Sequence, residues 1–216
     1  MVRAKTGHNR CDTCRLHPSV CICSQLPSLE LKTVVTMIIW NDERFKTTNT
    51  GMLALACLAR SIHYIYAGSN PLPDRFETDE EQPILLFPTE DAVPIENFVD
   101  HPKPIRLIVP DGTWRQASKV GKRLDSLKHV PGVFLPEGPP SRYTVRTGGR
   151  DGAVCTMEAV ARALGILEGP KIQAELEHIF NMFMDRLNWI RGTLPAELVY
   201  GGIPSGAVRH DPRSGL

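Results

Sequence analysis

No stretch of this sequence is apolar for long enough to cross a membrane, and the basic first residues are not followed by the apolar run of a signal peptide. A membrane partner and secretion are both set aside on that ground. Gly-x-Gly-x-x-Gly is missing, and so is a Walker-type loop, which leaves a nicotinamide-binding Rossmann site and an NTPase site without support. Net charge is almost missing too, at +1. The expectation is a cytoplasmic protein. Thiols stay reduced there, so the six cysteines are not read as a disulfide framework.

What is present begins with a segregation of charge that the total conceals. From Asp74 to Asp100 there are nine acids and one base, a net of −8. From Lys103 to Arg150 there are ten bases and three acids, a net of +7. A basic segment on a near-neutral chain suggests a polyanionic partner for one face, with separate solvated surfaces as the alternative. The chain has 216 residues, 42% of them hydrophobic, enough for one α/β domain with a small appendage. The expected division is 1–30, 31–200 and a frayed tail over 201–216.

Cys11-x-x-Cys14 and Cys21-x-Cys23 place four thiols within thirteen residues. Two closely spaced pairs can meet around one tetrahedral zinc, and four thiolates leave no open coordination position, so a structural zinc knuckle is expected. The segment has few large apolar residues and no core of its own, so metal binding would have to fold it. His17 is a substitute ligand to be weighed. Cys57 and Cys155 lie in other segments and read as packing residues.

Thr33–Trp40 is a continuous apolar run that reads as a buried strand. A polar loop from Asn41 to Thr48 follows. Asn49 and Thr50 then stand where a helix N-cap belongs. Ile62–Ala67 and Ile84–Pro88 are the next strands, separated by an acidic, Pro-containing loop. Strand, helix, strand at these lengths predicts a parallel sheet with helices on both faces.

The central signal is Ile105 to Ala117. A β-branched run ends in Pro110-Asp111-Gly112 and passes into a helical pattern, the junction at which open α/β sheets bind ligands. Asp111 is therefore a candidate site residue, with a plain Asp-Gly turn as the competing reading. The helix is expected from about Thr113 to Leu127, with Trp114, Ala117, Leu124 and Leu127 near one face; Trp114 reads as core more readily than as site. Thr113 is either a helix-start hydroxyl or a ligand contact. After a short strand at Val133–Leu135 comes a Gly- and Pro-rich loop from Pro136 to Arg150, of a length that is usually functional. Arg142, Arg146 and Arg150 carry guanidinium groups suited to phosphate or carboxylate. Cys155 to Val160 opens a helix in which Glu158 is positioned for a capping box; cysteine caps poorly, so Thr156 is expected to take over. A long amphipathic helix starts at Lys171.

Four separated motifs, in order, carry a resemblance: the cysteine knuckle, Asp111-Gly112-Thr113-Trp114, Ser141-Arg142-Tyr143 followed by Arg146, and Thr156-Met157-Glu158-Ala159. Together they resemble the DTW domain family, tRNA-uridine aminocarboxypropyltransferases related to the SPOUT methyltransferases, over Cys11 to about Leu164. Two positions depart from the family pattern, Asn41 where many members have His and Cys155 where Ser is usual.

The resemblance implies a SPOUT-like sheet with a C-terminal knot. It also implies transfer of the 3-amino-3-carboxypropyl group of S-adenosylmethionine to N3 of a tRNA uridine, with release of methylthioadenosine. Asp111 would be the catalytic base. Leu86, Phe87, Pro88, Pro110, Thr113, Arg142, Arg146, Cys155, Thr156 and Met157 would hold the cofactor. Asn49, Thr50, Trp114, Arg115, Tyr143 and Glu158 would face the substrate, and Cys11, Cys14, Cys21 and Cys23 would bind structural zinc. A SPOUT-type RNA methyltransferase and a non-catalytic zinc-knuckle RNA-binding protein are the alternatives. Monomer and homodimer both remain open.

Overall fold

Val34–Trp40 (β1) buries six residues in succession, which a strand can do only when both faces of its sheet are covered. The computed structural model describes residues 10–67, 72–76, 78–144 and 152–209. The chain divides into two compact units, Pro27–Glu177 and Met1–Leu26 with His178–Leu216.

In the larger unit β1 lies between Ser61–Tyr66 (β2) and Ile105–Asp111 (β5). Gln82–Leu86 (β3) follows on the far side of β5, then Gly132–Phe134 (β6) and Val93–Pro94 (β4). The sheet is parallel with six strands in the order β2-β1-β5-β3-β6-β4. Helices Thr50–Ala56 (α1), Trp114–Arg123 (α2) and Thr156–Leu167 (α3) cover it.

The two faces separate by parity along the strands. Ile38, Leu85 and Ile108 pack with Ala117 and Val120 of α2. Met37 and Asp111 point to the other face, where a Cβ on Gly51 of α1 would lie 2.6 Å from Met37 Sδ and 2.7 Å from Asp111 Cγ. Gly51 is therefore required by close approach, and it brings α1 directly onto the end of β5. At the other end of the sheet, Glu168 past α3 accepts from Thr33 N–H at 2.6 Å and Lys32 N–H at 3.3 Å, fixing the start of β1.

Several boundaries differ from expectation. β3 starts at Gln82 and ends at Leu86, because Phe87 N–H turns back to Leu85 O at 2.8 Å and leaves the ladder. α2 stops at Arg123 instead of running to Leu127: Leu124 adopts an extended conformation, and Asp125–Leu127 forms a separate 3₁₀ turn. Leu127 still joins the core cluster that the helical reading gave it. β4 is two residues long, too short to leave a periodic signal.

The smaller unit holds the cysteine segment, the helix Pro170–Ile190 (α4) from His178 onward, and the residues after it. Contrary to the expectation of few apolar residues at the knuckle, Leu16, Val20 and Ile22 are fully buried, as is Phe183 of α4. Arg186 of α4 donates to Val20 O at 3.2 Å and Cys21 O at 2.9 Å. After α4, Tyr200 N–H donates to Asp185 at 3.0 Å, Gly202 N–H to Val199 O at 2.9 Å and Val208 N–H to Ser19 Oγ at 3.5 Å. Among the described residues, no helix is long and apolar enough to cross a membrane.

Candidate active site and metal centre

Asp111 is the last residue of β5, opposite Ile39 of β1, and is 5% exposed. A buried carboxylate needs partners, and both its oxygens have them. Asn49 Nδ2 donates to Oδ2 at 2.6 Å, and Thr156 Oγ1 donates to Oδ1 at 2.6 Å. Asn49 is also the N-cap of α1, with its Oδ1 accepting from Met52 N–H at 2.8 Å, while its amide donates further to Glu43 O at 3.2 Å. Capping and holding Asp111 are thus two uses of one side chain. Thr156 is the first residue of α3, so the partial positive charge of that helix end favours the ionised carboxylate. Thr50 Oγ1 accepts from Met157 N–H at 3.4 Å and joins the starts of α1 and α3.

Glu158 organises the loop beside this network. Its carboxylate accepts from Ser141 Oγ at 2.6 Å, Arg142 N–H at 2.8 Å and Cys155 N–H at 2.9 Å. The last of these is the returning half of a capping box, and Thr156 does not replace Cys155 as the cap because its hydroxyl is given to Asp111. Tyr143 Oη donates to Thr48 O at 2.7 Å, and Arg162 Nη2 donates to Pro139 O at 2.6 Å. The described part of the loop, up to Thr144, is therefore fastened to the β1–α1 connection and to α3. Arg142 is exposed on it; Arg146 and Arg150 lie outside the described residues. Burial, with the nearby Glu158 carboxylate, pushes the Cys155 thiol up, so it stays protonated at neutral pH. Replacing Glu158 with alanine would strand the Arg142 and Cys155 N–H groups. It is expected to cost about 2–3 kcal/mol, while Glu158→Gln loses less; the midpoints of urea unfolding check both.

The other candidates sit around the start of α2 and the end of β3. Thr113 caps α2: its hydroxyl accepts from Gln116 N–H at 3.3 Å, and Gln116 Oε1 accepts from Thr113 N–H at 2.7 Å. Trp114, expected in the core, is 41% exposed with its ring 5.0 Å from that of Phe87. Phe87 fills the core position beside α2 and leaves Trp114 to cover it from outside. Arg115 is exposed, Leu86 half-buried and Pro88 exposed. Pro110 and Met157 are buried, so each can offer a ligand only its backbone. Within the basic segment, Arg106 is spent on structure, paired with Glu81 at 2.5 Å and donating to Thr36 Oγ1 at 3.0 Å.

In the smaller unit the four sulfurs of Cys11, Cys14, Cys21 and Cys23 all lie within 4.8 Å of one another. Cys11 and Cys23 are 3.3 Å apart, and Cys14 and Cys21 are 3.7 Å apart. A tetrahedron of sulfurs each about 2.3 Å from a zinc ion has edges of roughly 3.8 Å, so the set fits a tetrathiolate metal ion. Desolvation works against ionisation of Cys11, but N–H groups of Cys14 and Thr13 and the thiols of Cys23 and Cys21 outweigh it and lower its pKa to about 6. His17 stands outside the four-cysteine group: its Nδ1 accepts from Ser19 N–H at 3.2 Å and caps the turn Pro18–Val20. Burial depresses the Arg186 pKa, and the cysteines Cys21 and Cys14 work to restore it. A cation so placed is suited to the double negative charge of a zinc tetrathiolate.

The DTW domain matches residues 8–188 of the sequence. This chain belongs to the DTW domain family. Among curated proteins, the DTW protein is 28% identical to tRNA-uridine aminocarboxypropyltransferase 2 of Drosophila melanogaster, over 78% of this chain and 70% of the fly protein. It is 30% identical to tRNA-uridine aminocarboxypropyltransferase 2 of Macaca fascicularis, over 73% of this chain and 56% of that one. It is 29% identical to tRNA-uridine aminocarboxypropyltransferase A of Arabidopsis thaliana, over 79% and 78%. No solved structure matches the chain.

Two residues of this DTW protein were missed by reasoning from sequence. Gly51 carries no local signal, because the need for it comes from Asp111, sixty positions on. Arg186 does carry one: it stands three residues after Phe183 and four before Ile190, on the apolar stripe of α4, where a charge needs a buried partner.

Proposed function

We propose that this protein transfers the 3-amino-3-carboxypropyl group of S-adenosylmethionine to N3 of a tRNA uridine, forming acp3U and releasing methylthioadenosine. The observation that carries the reading is a buried carboxylate at the end of a central parallel strand, held jointly by Asn49 from the β1–α1 loop and Thr156 from the start of α3. The names of the relatives point the same way.

A uridine imide must lose a proton as it attacks, and Asp111 is the acceptor. The donor has several electrophilic carbons on its sulfonium, so its orientation sets the product. Backbone groups at Leu86, Phe87, Pro88, Pro110, Cys155, Thr156 and Met157, with Thr113, hold the donor. Arg142 or Arg146 meets its carboxylate. Asn49, Thr50, Trp114, Arg115, Tyr143 and Glu158 line the uridine side. The segment from Lys103 to Arg150 supplies bases for tRNA phosphates. The four-cysteine site takes zinc in a structural role, and the loop before α3 with that helix corresponds to the SPOUT-like knot. The domain assignment that goes with this reading is a knuckle at 1–30, a catalytic domain at 31–200 and a tail at 201–216, in a cytoplasmic monomer or homodimer.

Incubation with unmodified tRNA and S-adenosylmethionine labelled in the aminocarboxypropyl chain tests the reading. The expected result is labelled acp3U in the nucleoside digest and methylthioadenosine in the supernatant. A methylated nucleoside with S-adenosylhomocysteine instead would replace it with the methyltransferase reading. Failure to bind the donor by calorimetry would leave only an RNA-binding role.

A further inference from the structure

A base must reach its proton, and Asp111 is badly placed to touch a substrate. It is 5% exposed, and Asn49, on its Oδ2, is 4% exposed. Thr156, on Oδ1, belongs to a half-buried residue. Of these two partners, the threonine is the less buried. The amide of Asn49 donates and cannot accept a proton from substrate, whereas a hydroxyl that donates to Asp111 keeps its oxygen lone pairs for another donor.

We propose that Thr156 relays the proton: its Oγ1 takes the proton of uridine N3 while its own hydroxyl proton passes to Asp111. The inference rests on the aminocarboxypropyl-transfer reading and deepens it. As N3 attacks the γ-carbon of the donor's amino-acid arm, the N3–H bond breaks and its proton goes to Thr156 Oγ1. The proton already on Oγ1 moves along the 2.6 Å bond to Asp111 Oδ1. The N3 electron pair forms the new N–C bond. The C–S bond breaks with its electrons on sulfur, so the sulfonium leaves as neutral methylthioadenosine and Asp111 ends protonated. Asn49 is a positioning residue here, holding Oδ2 so that Oδ1 faces the hydroxyl.

The test compares Thr156→Val and Thr156→Ser with wild type on labelled donor and unmodified tRNA. Thr156→Val keeps the volume and the branched shape without the hydroxyl. Its kcat is expected to fall about 10²-fold or more, the usual scale of proton-transfer catalysis, with the donor Kd within about twofold. Thr156→Ser restores most of kcat. Single-turnover rates in mixtures of light and heavy water show two protons in flight for wild type and Thr156→Ser. Full activity in Thr156→Val, equal loss in both variants, or a single proton in flight would overturn the relay and leave the transfer reading intact. No acp3U from wild type would instead overturn the transfer reading.

Discussion

Substituting Cys14 with serine, or removing metal with a strong chelator, is expected to unfold the cysteine segment and lower the thermal midpoint of the protein. Cys14 is 1% exposed, and its sulfur is 3.7 Å from that of Cys21. Without a metal, burial pushes the Cys14 thiol far up and the Cys23 thiol to about 11, so neither ionises at neutral pH and only weak thiol–thiol contacts join the two cysteine pairs. With zinc bound, the apparent free energy of a structural site is about 10–16 kcal/mol, as large as the whole stability of many domains. Arg186 sharpens the effect. It is 3% exposed, and among the described residues its Nε has no hydrogen-bond partner, so the loss of thiolate charge leaves a buried cation with only two carbonyls. The check is zinc content by atomic emission together with calorimetric melting. Wild type should carry one zinc per chain, Cys14→Ser none, and the control Cys57→Ala one. Cys57 is a fair control because it is fully buried in the larger unit, donates to Leu53 O at 3.4 Å, and is pushed up to about 12 by burial, the state of a thiol that ligates nothing. Metal-free wild type with an unchanged melting curve would remove the structural role.

The legible parts of this protein are those whose cause is local. The cysteine spacing is a statement about four thiols within thirteen residues, and the sulfurs do converge. Asn49 and Thr113 stand directly before helical patterns, and both cap. The β-branched run before Asp111 does become a central strand with the carboxylate at its end. The illegible parts depend on partners far along the chain. Nothing near Asn49 says that its amide will meet a carboxylate 62 residues later. Trp114 fits an apolar stripe, and only the arrival of Phe87, just past the end of β3, decides which aromatic fills the core. Strand order, with β5 between β1 and β3, follows from crossovers that periodicity does not encode. Arg106 counts as a free base in any tally of charge until its pairing with Glu81 is seen.

Asp111→Asn is expected to abolish turnover while leaving the fold and donor binding in place. The substitution keeps size and shape beside Gly51, where a Cβ would already lie 2.7 Å from the Asp111 Cγ and no larger group fits. The amide oxygen can still accept from Asn49. Its NH2 then faces Thr156, whose hydroxyl can rotate to accept instead of donate, so neither Asn49 nor Thr156 is left as a stranded donor. What is lost is basicity: an amide does not take a proton, and the rotated hydroxyl has nowhere to send one. A loss of roughly 10²–10⁴-fold in kcat is the scale for a missing general base, with the donor Kd by calorimetry changed less than about threefold. Asp111→Ala adds a cavity and leaves one N–H of the Asn49 amide without its carboxylate acceptor, the other still meeting Glu43 O, so it should lose activity to a similar extent and also melt earlier. An asparagine ahead of Gly112 can deamidate back to aspartate, so the intact mass of the variant is followed alongside the assay. Turnover near wild type in protein of the correct mass would remove Asp111 from the proton path. The threonine that leans on it would then be left as a helix-start residue with no chemistry to serve.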